Sequence, residues 1–162
     1  MTNKSKMGIR EYNVLPKELC VEQEHKNIYK ELLRGEGDFQ NSPFVGMQMH
    51  DIFLLSFAIG VTRGVRKPLL KAKPMLSQQV IASSGIGALV VAFFLSTKDP
   101  DDVLGADPEE MKSTVEEFSN AGLEILVDHI LSARGETYLE LEDKWRLFIN
   151  DALQMVSRLG DG

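Results

Sequence analysis

Apolar residues recur at spacings of three and four along most of the chain, and this period predicts α-helices with one buried face. Two runs, residues 52–61 and 86–95, are apolar almost all round, which favours helices buried on every side. Asp107 and Pro108 mark another helix start, because aspartate caps free N–H groups and proline needs no hydrogen bond at the first position. The predicted helices cover residues 22–34 (or 16–34), 47–62, 77–95, 107–134 and 139–159.

The region from Ser77 to Leu95 supports three interpretations. Ser77 can cap one continuous helix, but Gly85 and Gly87 each weaken a helix interior by about 1 kcal/mol relative to alanine. Two short helices with a break near residues 83–87 fit equally well. The apolar residues 89–93 would also suit a buried strand.

These elements predict an all-α fold, with a single compact domain of five to six helices and the two apolar runs as central buried helices packed against each other. A polar segment, residues 1–20, is expected to precede a helical domain over residues 21–160. Each run has about 10 residues, and a membrane-spanning helix needs roughly 20, so no membrane span is expected. The polar N-terminus lacks a secretory signal and the single cysteine excludes a disulfide framework, so we expect a cytoplasmic protein.

Charge is distributed unevenly around a net charge of −6. Residues 52–98 carry 6 Lys and Arg with no acid, whereas residues 99–162 carry 5 Lys and Arg against 16 Asp and Glu. A general nucleic-acid binder is more often basic overall. The helix predicted over residues 107–134 has an acidic face that is either simply solvated or binds a basic partner. Its members are Glu109, Glu116, Glu117, Glu124 and Asp128.

A basic segment, residues 63–73, holds the candidate residues for binding DNA or a protein partner. They are Arg63, Arg66, Lys67, Lys71 and Lys73. Such a cluster contacts phosphates or an acidic protein surface, or is simply a solvated loop. Glycines and prolines prevent one regular helix here, so the side chains are expected to fan out unless the acidic C-terminal helices fold over them. A free segment would bind DNA weakly, without sequence preference and with strong salt dependence.

One alternative is a metal-dependent phosphohydrolase of the HD type, which gathers a His, a His-Asp pair and a later Asp around a divalent ion. The matching residues are His25, His50, Asp51 and Asp128. A two-letter motif is common by chance, and Asp51 has a simpler use at a helix N-terminus, where negative charge is favourable. Cys20 is surrounded by acids that raise a thiol pKa, so it is not expected to be a nucleophile. No catalytic residue and no cofactor is therefore predicted.

Several ordered motifs resemble the Dnd system-associated protein 4 family. Residues 49–60 (MHDIFLLSFAIG) resemble its acid-Leu/Ile-Phe start and apolar helix, and residues 63–68 resemble its basic Arg/Lys-Pro turn. Residues 92–99 (AFFLSTKD) are similar to an alanine-rich segment closed by Thr-x-Asp, and residues 115–123 (VEEFSNAGL) to a Phe-Glu-Glu-Tyr-Ala-Asn-Gly-Gly-Leu motif. Order and spacing agree over roughly residues 28–131. The family motif does not require His50, which further weakens the metal hypothesis.

The resemblance implies an accessory protein of prokaryotic DNA phosphorothioation and restriction systems, in which sulfur replaces a DNA backbone oxygen. It carries over no catalytic residues. The expected function is non-enzymatic, through binding of other proteins of such a locus, DNA, or both. The phosphohydrolase and a plain structural or oligomerisation module are the alternatives, and a homo-oligomer is left open.

Overall fold

The structure is a computed structural model that describes residues 15–97 and 107–132, with isolated positions between 143 and 154. Its elements, in chain order, are β1 (Glu18–Glu22), α1 (His25–Arg34), a 3₁₀ turn (Gly37–Phe39), α2 (Met49–Arg63), β2 (Ala72–Ser77), α3 (Gln78–Ser83), α4 (Ile86–Thr97) and α5 (Pro108–Ser132). The described part is mostly helical, as predicted. It is not purely helical, because β1 and β2 form a two-stranded antiparallel sheet.

The all-α prediction is wrong at this sheet because the pairing joins residues that lie far apart in the chain. Glu18 pairs with Ser77 and Glu22 with Ala72, a separation that no local periodicity reveals. Pro74 argues against a strand interior, since proline cannot donate to a ladder. Pro74 is tolerated beside a register shift, where its partner Cys20 donates its N–H to Glu116 of α5 (2.6 Å).

The core extends to residues that precede the predicted helix start at Glu22, and the alternative helix start at Pro16 does not occur. Leu19 is fully buried in β1, and α1 begins only at His25, after a turn. The proposed boundary between residues 20 and 21 falls inside β1, and residues 1–14 lie outside the described part. The division into a polar segment and one domain stays a prediction.

The other helix limits follow the local signals closely. Gly35 and Gly64 end α1 and α2 in the left-handed conformation that glycine adopts without strain. Asp51 caps α2, because its carboxylate accepts a hydrogen bond from the Gln48 N–H at 2.9 Å. Asp107 similarly accepts from the Glu109 N–H at 3.0 Å at the start of α5.

The region from Ser77 to Thr97 forms two helices, α3 and α4, separated at Ser84 and Gly85. The interpretation with a break is therefore confirmed, and neither the continuous helix nor the strand occurs. Ser77 caps α3 as expected. The helix predicted over residues 139–159 lies outside the described residues apart from a few isolated positions.

The centre of the core is the crossing of α2 and α5, where two glycines bring the backbones into contact. A Cβ on Gly60 would overlap the Phe118 carbonyl oxygen. A Cβ on Gly122 would overlap the Ser56 carbonyl oxygen and lie 2.9 Å from the Gly60 nitrogen. No side chain larger than hydrogen fits at either position while the helices keep this separation.

The two apolar runs do not pair with each other as the central helices. Phe53 in α2 is fully buried, but α2 packs mainly along α5. Phe93 in α4 is only half-buried and meets α2 edge-on at Phe57, with ring centroids 5.5 Å apart, while Phe118 of α5 completes the cluster. None of the helices in the described ranges is long and apolar enough to cross a membrane.

Replacing Gly122 with alanine should therefore destabilise the fold severely. The added methyl group meets backbone atoms of α2, which cannot rotate away, so the expected loss of unfolding free energy exceeds about 3 kcal/mol, the upper range for overpacking. Gly64→Ala is the control, since open space surrounds Gly64 and only its left-handed backbone is strained, at roughly 1–2 kcal/mol. Denaturant unfolding measures both, and a Gly122→Ala variant no less stable than the control would contradict the crossing.

Candidate functional site

The basic segment lies against the acidic face of α5. Arg66 reaches Glu117 with two nitrogens, Nη2 at 2.8 Å and Nε at 2.9 Å from the same carboxylate oxygen. The guanidinium also lies over the Phe118 ring, 5.4 Å from its centroid, which adds a cation–π contact. The acidic helix does fold over the segment at this point, so Arg66 is not free.

Lys67 is engaged by the next turns of the same helix. Its ammonium pairs with Glu124, and this hydrogen bond raises the pKa of Lys67. His25 at the start of α1 approaches the same carboxylate oxygen, with Nε2 at 3.6 Å. Burial lowers the pKa of His25 and the Lys67 charge lowers it further, against the opposing effect of Glu124. While the imidazole is neutral, the ion pair of Glu124 is therefore with Lys67.

The backbone of the basic segment is hydrogen-bonded at several positions between residues 67 and 71. The Lys67 N–H donates to the Glu117 carbonyl at 3.1 Å, and the amide of Asn120 donates to the carbonyls of Lys67 (3.0 Å) and Pro68 (3.4 Å). The N–H groups of residues 70 and 71 both donate to the carboxylate of Glu22, at 2.7 and 2.9 Å. These two bonds lower the pKa of Glu22, and the bond from Leu70 has the larger effect. The segment is thus a fixed platform.

Three cations of the segment have no ion pair with any other described residue: Arg63, Lys71 and Lys73. All three are exposed. Between them stand two exposed apolar side chains, Val65 and Leu70, of which Leu70 is 88% exposed. The surface presented to solvent therefore combines positive charge with an apolar projection.

One member of the expected acidic face is buried instead. Glu116 is 8% exposed, and its carboxylate accepts the Cys20 N–H and lies 3.9 Å from the ammonium of Lys112. Burial raises the pKa of Glu116, and burial together with the Glu116 charge raises the pKa of Cys20 to about 11. A thiol with this pKa is protonated at neutral pH, which agrees with the expectation that Cys20 is not a nucleophile.

The residues of the metal hypothesis do not form one site. Within residues 15–97 and 107–132, no three His, Cys, Asp or Glu side chains are grouped so that they could hold an ion. His50 contacts Asp51 at 3.4 Å at the start of α2, and His25 contacts Glu124 elsewhere. Asp128 is exposed on α5. Asp51 has the capping role that its position predicted.

Sequence reasoning missed three residues that shape this site. Glu22 and Asn120 are ordinary polar residues in the sequence, and only the folded chain brings them to the segment's backbone. Leu70 gave no signal, because the sequence of a loop does not reveal whether an apolar side chain in it is buried or exposed. Gly60 and Gly122 did give a signal in the sequence. A glycine inside a helical pattern weakens the helix, so its presence indicates close packing against another element.

The buried imidazole predicts a specific pH dependence. Because the folded chain holds the pKa of His25 below its ordinary value of about 6.5, the unfolded chain binds the proton more readily. The stability contribution of neutral His25 is complete above that value and is lost as the pH falls through the lowered pKa. The unfolding free energy of His25→Gln should therefore decrease less than that of the parent protein between about pH 7.5 and 5.5. Parallel pH profiles of the two proteins would contradict this interpretation.

The comparison with known families agrees with the resemblance found in the motifs. The family model described as DNA sulphur modification system-associated protein 4 matches residues 19–143, which is most of the chain and includes nearly all of β1, the α2–α5 crossing and the basic segment. No curated protein and no solved structure gives a significant match. The chain belongs to the family of DNA sulphur modification system-associated protein 4.

Proposed function

We propose that this protein is a non-enzymatic accessory component of a DNA phosphorothioation or restriction system and that it acts by binding another protein of that system. Family membership supports the association with DNA sulphur modification. The observation that carries the choice of a protein partner is the pairing of Arg66 and Lys67 with Glu117 and Glu124.

This pairing reduces the charge that the basic segment offers to DNA. Five cations would give a steep electrostatic attraction to phosphates, since each neutralised phosphate releases counterions. With Arg66 and Lys67 engaged, only Arg63, Lys71 and Lys73 remain without a described counter-charge. The glutamates beside them repel phosphates. A partner protein can accommodate this mixture of positive and negative charge, because its own surface can present an opposite charge to each group.

The chemistry of the described residues supports a binding role over a catalytic one. The thiol of Cys20 is buried and its pKa is about 11, so it offers no nucleophile at neutral pH. The histidines and aspartates of the phosphohydrolase hypothesis are divided between different contacts. His25, His50 and Asp51 each have a structural contact that accounts for them, and Asp128 is exposed on α5.

The test compares protein and DNA binding by the full-length chain. Purified proteins of the phosphorothioation system from the same organism are titrated against it by calorimetry, and a 30-base-pair duplex, with and without phosphorothioate links, is titrated by fluorescence anisotropy. We expect at least one protein to bind with a Kd below about 10 µM, which corresponds to a binding free energy of roughly −7 kcal/mol or stronger. We expect the duplexes to bind no more tightly than non-specific complexes, at roughly 10⁻⁴–10⁻⁶ M.

Matched double variants separate the free cations from the paired ones. Lys71→Ala with Lys73→Ala should flatten the salt dependence of any residual DNA binding by up to about 2 units, one per lost phosphate contact. Arg66→Ala with Lys67→Ala should leave it nearly unchanged. Duplex binding that is tighter than the binding of every protein tested, with a logarithmic salt slope steeper than about −4, would reject the proposal in favour of a DNA-binding function.

A further inference from the structure

Leu70 is the most exposed large apolar side chain among the described residues, at 88%. An exposed leucine on a mobile loop needs no explanation. Leu70 is different because its own N–H donates to the Glu22 carboxylate at 2.7 Å, and the neighbouring Lys71 N–H donates to the same carboxylate at 2.9 Å. The side chain is thus held outward by a fixed backbone.

The positions on both sides of Leu70 are fixed as well. Asn120 holds the carbonyls of Lys67 and Pro68 on one side, and the Lys71 carbonyl accepts the Gln23 N–H at 2.8 Å on the other. A projection that is already ordered loses little conformational entropy when a partner binds it. This arrangement is what a preformed docking surface requires.

We propose that Leu70 is the apolar anchor of the interface with the partner protein, that it inserts into an apolar pocket, and that Lys71 and Lys73 contact an acidic rim around that pocket. Lys73 lies in β2, and Lys71 directly precedes that strand, next to Leu70. Both are exposed and neither has an ion pair with a described residue. A few central residues that fill well-packed pockets contribute most of the binding energy of an interface. The inference rests on the proposed function and deepens it.

The same features fit DNA and membranes less well. A leucine contributes nothing to contacts with phosphates, which position a protein along the duplex through charged and polar groups. Even one myristoyl chain gives only marginal membrane attachment, so a single leucine with two lysines would not hold the protein on a lipid surface. A protein pocket with acidic surroundings uses all three side chains.

The test substitutes the anchor and compares it with an apolar residue exposed elsewhere. Leu70→Asp should weaken binding to the partner protein identified by calorimetry at least tenfold, because the charge cannot enter an apolar pocket. Val45→Asp is the matched control. Val45 is 58% exposed and lies in the loop before the N-terminus of α2, whereas Leu70 follows its C-terminus. It should bind like the parent protein. Thermal unfolding of both variants verifies that neither change disturbs the fold.

Each outcome has one meaning. If no protein of the system binds the parent chain, the proposed function fails and this inference fails with it. If the parent binds and Leu70→Asp binds equally well, the inference fails while the proposed function stands. Equal losses in Leu70→Asp and Val45→Asp would also overturn it, because the anchor would then not be Leu70. Loss of binding to vesicles of phosphatidylglycerol and phosphatidylcholine, rather than to protein, would assign Leu70 to a lipid surface instead.

Discussion

The close crossing of α2 and α5 is the constraint on which the rest of the structure depends. Because Gly60 and Gly122 allow the two backbones to touch, the position of one helix along the other is fixed to within a fraction of a residue. Any slip would place a side chain against a carbonyl group. The chain leaves α2 at Gly64, so the crossing also determines where the basic segment meets α5. Glu117 lies five residues before Gly122 and Glu124 two residues after it, and both pair with the segment that follows α2.

The crossing also explains which motifs carry the family resemblance. Residues 49–60 and 115–123 are the two halves of the α2–α5 interface, and the small residues in them are the ones that contact the opposite backbone. Asn120 in the second motif faces the basic segment and binds its carbonyl groups. The basic Arg-Lys-Pro turn is the segment that Asn120 holds. These motifs therefore describe one interlocked unit, in which the helix contact and the platform for the basic segment are built together.

The limits of sequence reasoning in this chain follow from distance along the chain. Helices were predicted well because their signals are local: Asp107 and Pro108 at one start, Gly35 and Gly64 at two ends, and Gly85 at a break. The sheet was missed because β1 and β2 pair across fifty or more residues and β2 contains a proline. The basic segment and the acidic face were both recognised, but as separate surfaces awaiting partners. Only the fold shows that Arg66 and Lys67 pair with glutamates on α5. The exposure of Leu70 follows from neither the hydrophobic pattern nor the charge pattern of the sequence.

Adjacent glutamates on α5 show how one helix organises both parts of the surface. Neighbouring helical residues point about 100° apart, so Glu116 turns inward to the Cys20 N–H of β1 while Glu117 turns outward to Arg66. β1 in turn places Glu22, whose carboxylate fixes the backbone at Leu70. The far end of the basic segment is therefore positioned by α5 indirectly, through a buried carboxylate, a strand and a second carboxylate. The segment is hydrogen-bonded to α5 at Lys67 and Pro68 and to β1 at Leu70 and Lys71, so a rearrangement around a partner would break these bonds. A partner that is complementary to the surface as it stands keeps these bonds, which favours a partner whose own surface is equally well formed.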